Sequence, residues 1–148
     1  MSPGRAVLAL DVGDARIGVA RADEGSSLAF GRGAITRSGT TKDVEEVAAV
    51  VRDEDASIVV VGLPRNMDGS ESTQTERVRA FADALAERLA GEHVDVVLED
   101  ERLTTRAAHR QIAGSALPRG KRQERGRVDE AAAVLILESY LARREAAR

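Results

Sequence analysis

The 148-residue chain has no cysteine, no tryptophan and only two histidines. Without cysteine there are no disulfides, thiol nucleophiles, zinc fingers or iron–sulfur ligands, and two histidines leave little for imidazole coordination. Any metal must therefore be held by oxygen. Aromatic residues make up 2% of the chain (Phe30, Phe81, Tyr140), too few for the stacking platforms on which single-strand binders lay bases, so contact with nucleic acid would run through phosphate or groove. Long hydrophobic runs are also lacking. The longest uncharged apolar stretches, such as Ala131–Leu137, are far too short to span a bilayer, and no basic segment followed by a long apolar run opens the chain. A cytoplasmic protein with no membrane partner is expected.

Apolar residues at 43% and charged residues at 32% suit one packed core under a charged surface, and the length suits a single domain over 1–148. The net charge of −3 argues, as an average, against a nucleic-acid partner. The average conceals an asymmetry. From Arg102 to Arg127, seven arginines and one lysine face only Glu124, giving that stretch +7 and leaving −10 for the remainder.

Ala6–Leu10 reads as a buried strand ending at Asp11, Val12 and Gly13; 16–22 alternates as a second strand, and 28–36 supplies a third after a Gly-Ser turn. Thr41 is placed to cap a helix carrying Val44, Val47, Ala48 and Val51 on one face. Uncharged 58–63 reads as a central parallel strand, ending in Gly62, Leu63 and Pro64 before a polar loop to Gly69. A helix over 72–90, a strand over 93–98, a short helix from Thr104 or Thr105 to Ile112, a Gly/Pro/Arg-rich loop over 114–127 and a helix over 128–144 complete the order. The pattern predicts an α/β protein: three antiparallel strands extended by two helix-connected parallel strands, in a mixed five-stranded sheet flanked by helices. It resembles the ribonuclease-H-like fold.

Acidic residues stand at the ends of these elements: Asp11, the run Glu99, Asp100 and Glu101, and Asp129. Carboxylates brought together there would suit Mg²⁺ or Mn²⁺, which take oxygen ligands and keep waters for a substrate phosphate. Taken singly, Asp11 also fits a turn ahead of Gly13, and Asp129 fits a helix-start carboxylate favoured by the macrodipole. Strand alternation puts Glu99 and Glu101 on one face and Asp100 on the other, and spacing alone does not choose among them. Gly62, Pro64, Asn66 and Gly69 suit close backbone approach to a ligand with an amide at hand, or an ordinary loop. Arg119, Lys121, Arg122, Arg125 and Arg127 lie in the Gly-rich stretch just before Asp129, where they would counter phosphate charge, with Arg102 and Arg106 extending the track. His93 and His109 read as surface or packing residues.

The blocks LALDVGDARIGVA (8–20), VVGLPRNMDGSES (60–72), LEDERLTT (98–105) and RVDEAAAVLILESYL (127–141) resemble, in order, four signature blocks of the YqgF/RuvX family. That resemblance implies a ribonuclease-H-like nuclease, either processing the 5′ end of precursor 16S ribosomal RNA or resolving Holliday junctions. It further implies Asp11, Glu101 and Asp129 as catalytic carboxylates and as ligands of two Mg²⁺ or Mn²⁺ ions. Asp14, Glu99 and Asp100 would support them, Gly13, Gly62, Pro64 and Gly69 would shape the loops, and Arg16, Asn66, Arg102, Thr104, Arg119, Lys121, Arg122 and Arg125 would meet the substrate. Asp14-Ala15 departs from the family's more usual hydroxyl residue and lysine, adding a carboxylate that would alter metal affinity or weaken phosphate binding.

Two other functions fit parts of this pattern. An ATP-binding phosphotransferase of the actin and sugar-kinase type also begins with a strand ending in DxG, but it closes two such domains around ATP and this length supplies one. A non-catalytic nucleic-acid-binding module would keep the fold and basic stretch and use the three carboxylates structurally. Junction resolution needs paired cuts and so favours a homodimer, for which Leu137, Tyr140 and Leu141 offer a surface unless they pack in the core.

Overall fold

The computed structural model describes residues 5–103 and 122–147. Strands β1 (Ala6–Val12), β2 (Arg16–Asp23) and β3 (Phe30–Thr36) run antiparallel in succession. Helix α1 (Thr40–Glu54) leads to β4 (Ala56–Leu63), and α2 (Thr73–Arg88) leads to β5 (Asp95–Asp100). A 3₁₀ turn over Glu101–Leu103 follows, and α3 (Arg122–Ala146) closes the described chain. The sheet order is β3-β2-β1-β4-β5, with β4 parallel to both β1 and β5. This is the expected mixed five-stranded sheet.

Because side chains alternate along a strand, each central strand serves two cores. Leu8, Leu10, Val12, Ile17, Val19, Val59, Val61 and Leu63 meet α1 and α2 through Val47, Val51, Phe81 and Leu85. Val7, Ala9, Ala20, Ala22, Ile58 and Val60 meet α3 through Ala133, Ile136, Leu137 and Leu141. The second set is smaller, so α3 lies close against the sheet. Leu137 is fully buried, Leu141 nearly so, and Tyr140 packs against the same cluster, so these three form core and not an outward surface.

Several boundaries differ from the sequence reading for local physical reasons. β1 continues through Val12, which makes Asp11 a strand residue paired with Gly18; the turn is closed beyond it by Gly13 N–H donating to the Arg16 carbonyl at 2.9 Å. The residue capping α1 is Gly39, at φ 129°, and not Thr41. No side chain caps that end. Instead the fully buried Asp43 reaches back to accept from Ser38 N–H at 2.9 Å and Arg37 Nε at 2.8 Å. Ser72 does cap α2, in a reciprocal box with Thr75. β5 starts at Asp95 because His93 takes a left-handed turn at φ 58°.

The largest difference is in α3, which begins at Arg122, not at 128. Residues 122–127 are therefore helical and not loop, since arginine, glutamine and glutamate favour the helix enough to carry Gly126 at a cost of about 1 kcal/mol. Asp129 consequently lies inside the helix, which removes the helix-start explanation for it. The short helix expected from Thr104 or Thr105 to Ile112 lies outside the described residues, as do Thr104, Arg106, Arg119 and Lys121. No described helix is long and apolar enough to cross a membrane.

Candidate active site

Asp11 shares the sheet face of Val7 and Ala9 and so lies on the side covered by α3. Both of its lateral neighbours on that face are glycines. Gly18 pairs with it across β2, and the register Leu10↔Val61 carries on to set Gly62 of β4 level with it. Gly62 pairs in turn with Glu99 of β5. A Cβ on Gly18 would run into the backbone carbonyl of Asp129, and one on Gly62 would run into Cδ1 of Ile136 and stand 3.1 Å from Oε1 of Glu101. The two glycines thus leave the room through which Asp129 and Glu101 approach either side of Asp11. Asp11 is 5% exposed and Glu101 9%, while the Asp129 side chain keeps 25% of its surface and accepts from Arg16 Nε at 2.7 Å.

The acidic run after β5 divides as alternation requires. Glu99 and Glu101 turn toward α3, whereas Asp100 turns away to Arg102, accepting from its backbone N–H at 2.9 Å and its Nη2 at 2.8 Å. Arg65 Nη1 stands 3.8 Å from the same carboxylate. The Arg102 guanidinium holds the Asp100 carboxyl below its ordinary range, against the opposing effect of desolvation. Glu99 has no exposed surface; it accepts from Ser139 Oγ at 2.9 Å and Arg143 Nη2 at 2.7 Å. Burial pushes its carboxyl above the ordinary range despite both donors.

The remaining positions fall around this row. Gly69, at φ +90°, has Arg102 Nη1 3.1 Å from where its Cβ would be, so the second sequence block folds onto the third. The Pro64 carbonyl accepts from the buried Thr75 hydroxyl of α2, anchoring that loop. The Asn66 amide donates to Ser70 Oγ at 2.9 Å within the loop. The Asp14 side chain is 83% exposed and its nearest cation among the described residues is Arg77 of α2 at 3.9 Å, on the sheet face opposite Asp11. Gly13 closes the hairpin, and Arg122 and Arg125 lie on the first turns of α3.

On the α3 side of the sheet Asp11, Glu101 and Asp129 offer carboxylate oxygens, the donor a hard divalent cation takes. Asp11, Glu101 and Asp129 could hold one, with Gly62 leaving space beneath the Glu101 carboxylate. In the conformation described, no three His, Asp or Glu side chains among the described residues come close enough to share an ion. Asp129 is engaged by Arg16 instead.

Sequence reading missed Gly18, Arg65, Glu130, Ser139 and Arg143. Glu130 accepts from Gly33 N–H at 2.7 Å and fills the space a Cβ on Gly31 would need, fastening α3 to the edge strand β3. Glycine inside a strand, as at Gly31, was the available signal of a close approach. The partners of Glu99 are 40 and 44 residues away and carried no such signal.

The family described as RuvX, Holliday junction resolvase, matches residues 5–143. A relative from Thermus thermophilus named as a candidate pre-16S rRNA nuclease is 44% identical over 91% of this chain and 96% of its own length. One of the same name from Caldanaerobacter subterraneus is 45% identical over 91% and 94%. Among solved structures, T. thermophilus RuvC in complex with a Holliday junction substrate superposes with TM-score 0.59 at 16% identity, covering 95% of this chain and 96% of that one. The yeast mitochondrial Holliday junction resolvase Ydc2 gives TM-score 0.55 at 11% identity, covering 95% and 79%. At those identities the likeness establishes the ribonuclease-H-like fold.

Proposed function

The chain belongs to the RuvX family of Holliday junction resolvases, and from that premise we propose that it is a metal-dependent nuclease hydrolysing phosphodiester bonds in structured nucleic acid. The relatives' names point to precursor 16S rRNA as substrate, and its 5′ end is the proposed place of cutting. The observation that carries the reading is the glycine-flanked Asp11, with Glu101 and Asp129 beside it on the α3 side of the sheet.

Asp11, Glu101 and Asp129 are the proposed ligands and catalytic groups. Two Mg²⁺ or Mn²⁺ ions held there would activate a water and stabilise the leaving 3′ oxygen. The chain's own residues do the rest. The low exposure of Asp11 and Glu101 limits competing bulk water. Arg16 fixes the direction of Asp129 through a charge-assisted hydrogen bond. Arg102, steered by Asp100, and Arg65 beside it present positive charge at the flank of the site, where a substrate phosphate would lie. The basic stretch 102–127 extends that charge, with Thr104, Arg119, Lys121, Arg122 and Arg125 as proposed backbone contacts.

The family's description supports a second substrate, the four-way DNA junction, whose paired symmetric cuts would call for a homodimer. Side-by-side cleavage of precursor 16S rRNA and four-way junctions with Mn²⁺ or Mg²⁺, read against solution mass, separates the two. Cleavage of neither, with nucleic-acid binding retained, would favour the binding module; tight ATP binding would revive the phosphotransferase. The proposed location is the cytoplasm.

A further inference from the structure

Among the described residues, Glu99 is the one carboxylate on the α3 side of the site that has no exposed surface and no place in the proposed chemistry. Its strand position is level with Gly62, in the lateral row that contains Asp11, and two residues before Glu101 on the same face. Both donors it accepts from belong to α3: Ser139 and, one turn on, Arg143. Apart from the row that holds Asp11 and Glu99, the sheet beneath that helix offers small and aliphatic side chains, Val7, Ala9, Ala20, Ala22, Ile58 and Val60. Such a surface gives adhesion without register, because apolar contact is non-directional. Near its other end α3 is tied to the opposite edge of the sheet by Glu130, which accepts from Gly33 N–H at 2.7 Å. Asp129 stands next to that second tie.

The pair takes the Glu99 carboxylate wholly out of water while half of the Arg143 side chain stays exposed, so desolvation of the carboxylate offsets much of the attraction, whereas a polar contact with one good geometry can select among packings of similar energy. We propose that Glu99, through Ser139 and Arg143, is a positioning residue that sets the register of α3 on the sheet and thereby places Asp129 relative to Asp11 and Glu101. This rests on the nuclease reading only for its consequence in metal binding; the register claim stands on the contacts themselves.

The absence of cysteine makes a direct test simple. Spin labels on cysteines introduced at Ala131 of α3 and Asp95 of β5, both exposed, report the helix position by pulsed electron paramagnetic resonance. Mn²⁺ affinity is measured in parallel by calorimetry. In Glu99→Leu the distance distribution should shift or broaden, and Mn²⁺ affinity should fall about 10- to 100-fold, as when groups that orient metal ligands are lost. Glu99→Gln, whose carbonyl still accepts from Ser139, should restore most of the affinity. An unchanged distance or an unchanged affinity in folded Glu99→Leu overturns the proposal. If that variant does not fold, the Ser139→Ala, Arg143→Met double variant decides by the same two readings. A wild-type chain that fails to bind Mn²⁺ would sink the metal-dependent reading, while the distance measurement would still decide the register claim.

Discussion

The two faces of the sheet are built from the same strands by alternate residues, yet they do different things. The face under α1 and α2 is filled mainly with large aliphatic groups and Phe81. The face under α3 has alanine or glycine at Ala9, Gly18, Ala20, Ala22 and Gly62, and admits Asp11, Glu99, Glu101 and Asp129. Where bulk is removed, a helix backbone and charged groups can approach the strands. Burial serves stability on one side and proximity on the other.

The largest expected separation of the two comes from Asp11→Asn. Removing one charged ligand should lower metal-dependent cleavage about a thousandfold, the equivalent of several kcal/mol of transition-state stabilisation. Thermal stability should not fall. Wild-type cleavage by this variant would take Asp11 out of the chemistry. On the other face, Phe81→Ala should cost about 3–5 kcal/mol by chemical denaturation through the cavity it leaves, with Mn²⁺ affinity of the folded protein unchanged. Were affinity to fall in step with stability, the division between the faces would be wrong.

Gly62→Ala should act on both quantities, since its Cβ meets Ile136 and Glu101 together. A loss of about 1–3 kcal/mol is expected from overpacking, along with weaker metal binding; the same substitution at Gly33, where the surrounding space is open but φ is +92°, should leave metal binding alone. Calorimetry on the pair distinguishes crowding at the site from general strain.

A smaller effect concerns Asp43, at the margin of the α1/α2 face. Desolvation pushes its carboxyl up, but Arg37 and the Ser38 N–H outweigh that and hold it below its ordinary 3.8. A carboxyl depressed by folding contributes stability above its unfolded value, and loses it as pH falls through the folded value. Asp43→Asn should therefore flatten the acid limb of the stability curve below about pH 4 and leave metal affinity unaltered. An acid limb as steep as in the wild type would contradict the assignment. Smallest per residue is the basic stretch: replacing Arg119, Lys121 and Arg122 with alanine should reduce the salt slope of nucleic-acid binding by about one for each phosphate no longer neutralised. An unchanged slope would remove that stretch from the interface.

Much of the α1/α2 face was readable in order along the chain, because strand and helix periodicities are local: Leu8 and Leu10, Val59 and Val61, and Val78, Phe81 and Leu85 each declare a buried side. Block order likewise pointed to Asp11, Glu101 and Asp129. The start of α3 differs from the sequence reading because Gly126 and the arginine-rich run look like loop by composition, while the helix propensity of the arginine, glutamine and glutamate there carries the helix through them. Arg65, Ser139 and Arg143 were missed because each acts through a residue distant in the chain.

By itself the sequence determined the apolar faces of most strands and helices, the order of those described, and the polarity of a chain whose small net charge divides into a basic stretch and an acidic remainder. Tertiary structure alone decided that Ser139 and Arg143 hold Glu99, that Arg16 holds Asp129, and that glycines in two strands make way for a helix and a carboxylate. The reason is physical: alternation and periodicity act between neighbours in the chain, whereas room for a close approach exists only once separate strands lie side by side.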